Sequence, residues 1–206
     1  MCNGHGFPPF DDPTPVIEWL PRLIASLISV PIALTAFYVW RARRSGAPDA
    51  PSTAAYWAIG LLVPQALLGA VTVKLELPAW SVVLHLGTAM LLLAVLLRIA
   101  TGSSLVGDRS RSSWLLLALA FVTVLFGALT ANSGAAAACH GFPLCNGQIW
   151  STAGPLAAIH WTHRLLAYSL AIVVAVRALR TPGPAPAGLL ALVVVQIAAG
   201  GGAGAV

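Results

Sequence analysis

The run WLLLALAFVTVLFGALTA, residues 114–131, contains eighteen residues and no charged side chain. The hydrocarbon core of a bilayer is about 30 Å thick and takes roughly 20 apolar residues to cross, so this run predicts a membrane-spanning helix. It lacks the alternation of polar and apolar positions that is typical of a barrel strand. Similar apolar runs occupy residues 16–40, 54–73, 79–99, 155–179 and 187–206. The sequence therefore predicts an all-α integral membrane protein with about six helices.

The composition agrees with a protein whose surroundings are the lipid bilayer. Only 8% of the 206 residues are charged and 58% are hydrophobic, whereas a soluble domain carries about 25% charged residues. Too few charges are present to cover a surface that faces water. A soluble enzyme, a disordered tail and a nucleic-acid-binding module are therefore excluded.

The basic residues predict the orientation of the helices. Eight of the eleven fall in three connections on one side of the membrane: Arg41, Arg43, Arg44, Arg98, Arg109, Arg111, Arg177 and Arg180. Basic connections are typically cytoplasmic. The net charge of +5 is thus interpreted as orienting helices in the plasma membrane rather than as binding nucleic acid, and the cysteine-containing loops are expected on the outer side.

An internal repeat relates the two parts of the chain. Three patterns recur in the same order: Cys-Asn-Gly at 2–4 and 145–147, Trp-x-x-Arg at 19–22 and 161–164, and Gln-x-x-x-Gly at 65–69 and 196–200. The offsets are 143, 142 and 131 residues, and recurrence of several patterns in the same order indicates duplicated architecture. We predict two pseudo-symmetric four-helix bundles, contributed by residues 1–105 and 106–206.

The repeat also predicts helices that lie outside these 206 residues. The second half has a helix before its Cys-Asn-Gly pattern that the first half lacks, and the first half has a helix bearing His85 whose counterpart would fall beyond residue 206. We therefore expect the sequence to be a fragment of an eight-helix protein, without the first helix of one half and the last helix of the other.

Two places within the apolar runs carry histidine. His85 has apolar neighbours on both sides, and His160 and His163 are spaced to share one helix face. A histidine inside the membrane is a functional candidate, the alternative being a core side chain hydrogen-bonded to another helix. An imidazole that ligates iron, with Arg164 pairing a propionate, suits a haem. Arg164 could instead only snorkel to the interface, but the recurrence of Trp-x-x-Arg favours a function for it and for Arg22.

Cys139 and Cys145 enclose a short segment that contains glycine and proline. Their separation permits a disulfide on an oxidising side of the membrane. A zinc site together with His160 and His163 is the alternative, although both spacings differ from the usual ones. The spacing favours a disulfide, and the partner of Cys2 is expected upstream of the chain.

Glu18 and Pro21 are the repeat counterparts of His160 and His163. A carboxylate near the start of a helix can simply complement the helix dipole, or it can move a proton in catalysis. Proline is tolerated in the first turn of a helix but offers no ligand to iron. The first half therefore lacks one of the histidines that the second half has.

These motifs together resemble the haem A synthase family of cytochrome oxidase assembly proteins. The resemblance rests on Gly134-x4-Cys139-x2-Phe-Pro-Leu-Cys145-Asn-Gly-Gln148, His160-Trp-Thr-His163-Arg164, Glu18-Trp-Leu-x-Arg22 and His85 within its helix. It implies an eight-helix protein of two pseudo-symmetric bundles. It also implies oxidation of the methyl group of haem O to the formyl group of haem A, with haem B in the second half.

The resemblance assigns roles residue by residue. Glu18 matches the catalytic glutamate and His85 an axial histidine of the substrate haem, while His163 matches an axial histidine of haem B. Cys139 and Cys145 match the loop disulfide. Arg22 and Arg164 are expected to contact haem, and haem O synthase and cytochrome oxidase assembly factors are the implied partners.

Pro21 is the main departure from the family pattern, because it occupies the position of the second histidine of the substrate haem. The partner of His163 would lie on the absent last helix. The alternative function is thus a non-catalytic haem-binding membrane protein or an inactive fragment. A helix-bundle transporter without haem is a third reading.

Overall fold

The computed structural model describes residues 13–46, 52–101, 111–149 and 154–203. In these ranges the chain forms six α-helices: α1 Pro13–Arg44, α2 Ser52–Lys74, α3 Ala79–Thr101, α4 Arg111–Asn132, α5 Pro155–Arg180 and α6 Pro184–Ala203. A 3-10 turn at Ala135–Ala137 follows α4, and the described residues contain no named β-strand. The predicted all-α membrane fold is confirmed.

Five helices in the described residues are long and apolar enough to cross a membrane: Arg22–Arg44, Thr53–Lys74, Ala79–Thr101, Arg111–Asn132 and Pro155–Arg180. The last apolar run forms α6, whose apolar segment at Pro184–Gly200 is shorter than these five. Many large apolar side chains on these helices are exposed, such as Leu27, Leu117 and Leu192. Such side chains are compatible with contact to lipid rather than to water.

Helix α1 begins earlier than expected. Its first residue is Pro13, and Pro21 consequently lies inside the helix. The expectation that Pro21 belongs to the first turn is wrong. An interior proline removes one backbone hydrogen bond of the helix, so Pro21 destabilises α1 more than a proline in the first turn would.

Helix α5 has clear start and stop signals. Gly154, with φ of 94°, precedes Pro155 at the first helical position, where the missing N–H of proline is harmless. Arg177 and Arg180 lie in the last turn, where positive charge complements the negative end of the helix dipole. These signals fix the register in which α5 presents His160, His163 and Arg164.

The chain divides into two compact units. The first comprises residues 1–65 and 91–105, and its described core joins α1, α2 and α3 through Ile32, Ala58 and Leu92. The small side chain of Ala58 allows the helix backbones to approach closely, as is common in membranes.

The second unit comprises residues 66–90 and 106–206. In it α5 packs against α4 on one side and α6 on another, and the 3-10 turn contacts both α4 and α5. A buried cluster of Cys139, Cys145, Ala157 and Trp161 joins the loop after α4 to the start of α5. The units group residues by contact, whereas the predicted halves 1–105 and 106–206 follow a sequence repeat, so the halves remain a prediction.

Candidate functional site

A cavity of about 800 Å³ lies between α4, α5 and α6 in the second unit. Thr123 and Gly127 of α4, His163 and Arg164 of α5, and Gly200 of α6 all line it. The remaining walls are largely apolar, and the loop after α4 contributes Phe142 to them. A concave apolar site with a few polar groups is typical of a bound organic cofactor.

His163 is held in one orientation by α4. Its Nδ1 atom lies 3.2 Å from the backbone carbonyl oxygen of Thr123, so Nδ1–H donates to that oxygen and the lone pair is on Nε2. A hydrogen bond from one ring nitrogen to a backbone carbonyl is the usual partner of an imidazole that binds metal through the other nitrogen. The geometry of His163 leaves Nε2 available to a metal, and its predicted role toward haem B stays a prediction.

Glycine lets α4 come close to this ring. A Cβ atom placed on Gly127 would lie only 3.0 Å from Cε1 of His163. His85 shows the same relationship, since a Cβ on Gly69 would lie 3.0 Å from Cε1 of His85. Each candidate histidine therefore rests on a helical glycine of the preceding helix, α2 for His85 and α4 for His163.

His85 is half-buried in α3. Its neighbour Leu86 lines the cavity, whereas His85 is not among the described lining residues. Its predicted role toward a substrate haem stays a prediction.

His160 uses both ring nitrogens within the protein. Nδ1 lies 3.0 Å from the carbonyl oxygen of Ala135, and Nε2 accepts a hydrogen bond from Nε–H of Arg164 at 3.2 Å. These two bonds leave no lone pair for a metal. His160 is therefore a structural neighbour of Arg164 rather than a second ligand.

Arg164 ties α5 to the loop that contains the cysteines. Its side chain is 8% exposed and donates from Nη1 to the carbonyl oxygens of Gly141 and Leu144, both at 2.7 Å. Nη2 donates to the carbonyl oxygen of Cys139 at 3.3 Å. With the bond to His160, four of the five N–H groups of the guanidinium are engaged. The predicted propionate contact stays a prediction, with one N–H left to make it.

The loop itself is compact. Cys139 and Cys145 are buried, their Cα atoms are 4.7 Å apart, and their sulfur atoms lie within covalent bonding distance. The Asn146 side chain accepts from the backbone N–H of His140 at 2.9 Å and donates to the carbonyl oxygen of Ala138 at 3.1 Å. In the described part of the chain, no three His, Cys, Asp or Glu side chains cluster as a metal site would need.

Tyr168 is a site residue that the sequence reasoning missed. Its hydroxyl donates to the carbonyl oxygen of Pro143 at 2.7 Å, and its ring meets that of Phe142 edge-on with centroids 6.1 Å apart. It lies one turn beyond Arg164, which itself lies one turn beyond His160. The four-residue spacing of three polar side chains on one helix face was a usable signal. Thr123 and Gly127 were also missed, and nothing in their own sequence context marks them.

The first-half candidates are only partly described. Glu18 and Pro21 lie in α1, but their side chains are not among those that the structure describes. Arg22 is half-buried near the start of the same helix, and Cys2 lies outside the described residues. The roles of Glu18 and Arg22 remain predictions.

Comparison with known proteins identifies the family. A model of the family described as cytochrome oxidase assembly protein matches residues 12–203. The chain belongs to the haem A synthase family of cytochrome oxidase assembly proteins. The family that the sequence motifs predicted is thereby confirmed.

Curated relatives in this family carry the name Heme A synthase. The protein from Rhodospirillum centenum is 31% identical over 89% of this chain and 58% of its own length. That from Shouchella clausii is 30% identical over 72% of this chain and 52% of its own length. That from Symbiobacterium thermophilum is 28% identical over 86% of this chain and 62% of its own length. The chain thus spans between half and two thirds of these relatives.

Proposed function

We propose that this chain acts in haem biosynthesis as a membrane oxidoreductase, oxidising the methyl group of haem O to the formyl group of haem A for cytochrome oxidase. The observation that carries the proposal is His163, whose Nδ1–H is fixed by the Thr123 carbonyl on the wall of an apolar cavity. Membership of a family whose curated relatives are named Heme A synthase supports the same reaction.

The cavity suits haem B by size and chemistry. Its volume of about 800 Å³ is within the range of small-molecule sites, roughly 300–1,000 Å³. His163 would hold the iron through Nε2, and the remaining N–H of Arg164 would face a propionate. When bound, the haem supplies one-electron redox chemistry at a potential set by its ligand and surroundings.

The residues of the chain would orient the cofactor and exclude water from it. Thr123 fixes the tautomer of His163, and Phe142 closes part of the cavity at its loop end. Arg164 and Tyr168 keep that loop in place through three of its backbone carbonyls and that of Pro143. A site with less water strengthens every electrostatic interaction within it.

On the substrate side, His85 would ligate the iron of haem O and Glu18 would accept protons. Conversion of a methyl group and one water to a formyl group releases four protons and four electrons. The reaction therefore needs four equivalents of a one-electron acceptor, and the Glu18 carboxylate would receive protons as a general base. Haem O synthase and oxidase assembly factors are the proposed partners.

The plasma membrane is the proposed location, with the loop at 139–145 on its outer side. Three basic connections support this orientation. On that oxidising side Cys139 and Cys145 would form a disulfide. Mass spectrometry after alkylation, with and without reductant, distinguishes the disulfide from two free thiols.

Pro21 favours one second candidate, a non-catalytic haem-binding membrane protein. By the family resemblance it occupies the position of a haem-ligand histidine, so a haem O site in this chain would have His85 as its axial ligand and no second histidine from α1. Such a protein would bind haem through His163 and release no haem A.

The test supplies haem O to membranes that contain the full chain and measures haem A by chromatography with mass detection. The proposal predicts haem A with the wild-type chain and none with Glu18→Gln. The matched control is Glu76→Gln, because Glu76 is exposed in the α2–α3 connection and its loss leaves activity unchanged. Bound haem without haem A in the wild type would contradict the oxidase and favour the haem-binding alternative.

A further inference from the structure

We infer that Gly127 is a positioning residue for His163: by leaving a notch in α4, it fixes the orientation and the tautomer of the imidazole. The inference deepens the proposed function, since it concerns the histidine proposed to bind haem. The three atoms nearest to a Cβ placed on Gly127 all belong to that ring.

The notch is made by two residues one helical turn apart. Thr123 supplies the carbonyl oxygen that accepts from Nδ1–H of His163 at 3.2 Å. A carbonyl oxygen has two lone pairs, so it can accept from the helix and from the imidazole at once. Gly127, four residues later, lies under the ring, with a hypothetical Cβ at 3.0, 3.5 and 3.6 Å from its Cε1, Nε2 and Nδ1 atoms. A side chain at 127 would occupy the space in which the ring reaches the carbonyl.

The same notch occurs at the other candidate histidine. A Cβ on Gly69 would lie at 3.0, 3.6 and 3.7 Å from Cε1, Nδ1 and Nε2 of His85. This second case lies on a different helix pair, α2 and α3, and uses a different stretch of sequence. Two histidines that approach a helical glycine to the same 3.0 Å indicate a recurrent way of positioning an imidazole rather than a coincidence of packing.

A methyl group at position 127 would displace the ring. Contacts of 3.0 Å are tighter than nearly all real Cβ contacts, so the imidazole must move by a few tenths of an ångström. Movement away from α4 lengthens the bond to Thr123, and loss of that bond frees the other tautomer. Outer-shell partners of this kind change metal affinity by roughly 10- to 100-fold when they are removed.

The direction in which Gly→Ala changes stability distinguishes this role of Gly127 from that of a glycine at an open helical position. Alanine is a better helix former than glycine, so Gly→Ala at an open helical position raises stability. Gly60 in α2 is such a position, since no described atom lies within 4 Å of its hypothetical Cβ. Gly127→Ala should have the opposite effect, because the added methyl meets His163.

The experiment compares Gly127→Ala and Gly60→Ala in the full chain, each also in a His163→Ala background. Melting temperature in detergent measures packing, ¹⁵N chemical shifts of labelled histidine report the tautomer of His163, and titration with haem B reports affinity. We expect Gly127→Ala to lower the melting temperature, to reduce the Nδ1–H population and to weaken haem binding roughly tenfold. Gly60→Ala leaves the tautomer and the affinity unchanged. Without the imidazole, in the His163→Ala background, Gly127→Ala becomes neutral or stabilising.

Three results would overturn the inference. Gly127→Ala could match Gly60→Ala in all measurements, it could lower the melting temperature equally without the imidazole, or it could leave the tautomer as in the wild type. If the wild type binds no haem while Gly127→Ala still shifts the tautomer, the notch stands and the proposed haem function falls. The double variant keeps the test decisive if Gly127→Ala alone fails to fold.

Discussion

The starts of α5 and α1 share the pattern Trp-x-x-Arg but differ in the residues around it. In α5, His163 faces an apolar cavity with its Nδ1–H bound to Thr123, and Arg164 is buried against the cysteine loop. In α1 the corresponding positions are Pro21 and Arg22, and a carboxylate, Glu18, stands where α5 has His160.

The comparison shows that the two helices share the tryptophan and the arginine but differ at the positions of the two histidines. The α5 start has each element of a haem site: an oriented imidazole, a cavity and a held loop. The α1 start replaces an imidazole with proline, which binds no metal, and adds an acid that can move protons. Under the proposed function, the second half would hold a cofactor and the first half would act on a substrate.

Arg164→Ala is expected to have the largest effect on this contrast. It removes four hydrogen bonds from a buried cation and leaves three loop carbonyls without their donor. A hydrogen bond to a charged group contributes about 1.5–3 kcal/mol, so the loss of four such bonds is expected to exceed the effect of every other variant in this series. Thermal unfolding in detergent measures the loss, and proteolysis should cut between Cys139 and Cys145 more readily.

Two further variants serve as controls for Arg164→Ala. Arg180→Ala removes an exposed arginine from the last turn of the same helix and should change stability by less than about 0.5 kcal/mol. Arg164→Lys should recover only a fraction of the loss, because an ammonium cannot reproduce the fork of the guanidinium. Equal effects of Arg164→Ala and Arg180→Ala would contradict the role of Arg164 in holding the loop.

Pro21→His tests whether the difference between α1 and α5 limits activity. A histidine at 21 should raise haem A formation. Because the change also removes an interior proline, which costs up to about 3 kcal/mol in a helix, it should stabilise α1 as well. Pro31→Ala, which removes another proline within α1, controls for helix stability alone. An equal rise in haem A with Pro31→Ala would show that the imidazole is irrelevant.

Cys139→Ser is expected to have a moderate effect. Loss of a disulfide generally costs about 2–4 kcal/mol, and less for short closed loops, while Arg164, Tyr168 and Asn146 continue to hold this loop. The melting temperature should fall less than for Arg164→Ala. Addition of reductant should lower the wild type to the value of the variant, and a wild type indifferent to reductant would refute the disulfide.

Tyr168→Phe should have the smallest effect. It deletes one hydroxyl bond to the carbonyl of Pro143 and keeps the ring that meets Phe142, so a loss of about 0.5–1.5 kcal/mol is expected. Tyr38→Phe, at an exposed position of α1, is the control. If both variants have the same melting temperature, Tyr168 does not help to hold the loop.

Hydropathy was enough to predict the fold class and the approximate helix ends. The run predicted at 155–179 is the helix Pro155–Arg180, and 79–99 is part of Ala79–Thr101, because the requirement to cross a bilayer acts on each segment separately. The start of α1 was misjudged, since its first residues are polar and rich in proline.

The side-chain partners at the site were harder to predict. The spacing of His160 and His163 indicated a shared helix face, and both line the cavity, but the spacing could not assign one to Arg164 and the other to Thr123. Those partners come from the packing of α4 and of the loop against α5, which depends on contacts between segments distant in sequence. Arg164 looked like a partner for an anion because the loop carbonyls that it binds had no signature in the sequence.

The most direct test of the account is an optical titration of haem B into the purified chain and into His163→Ala and His160→Ala. We predict that the Soret shift of bound haem is retained by His160→Ala and weakened by at least about tenfold in affinity, or lost, in His163→Ala. Equal binding by the wild type and His163→Ala, or a loss confined to His160→Ala, would contradict the assignment of His163 as the haem ligand.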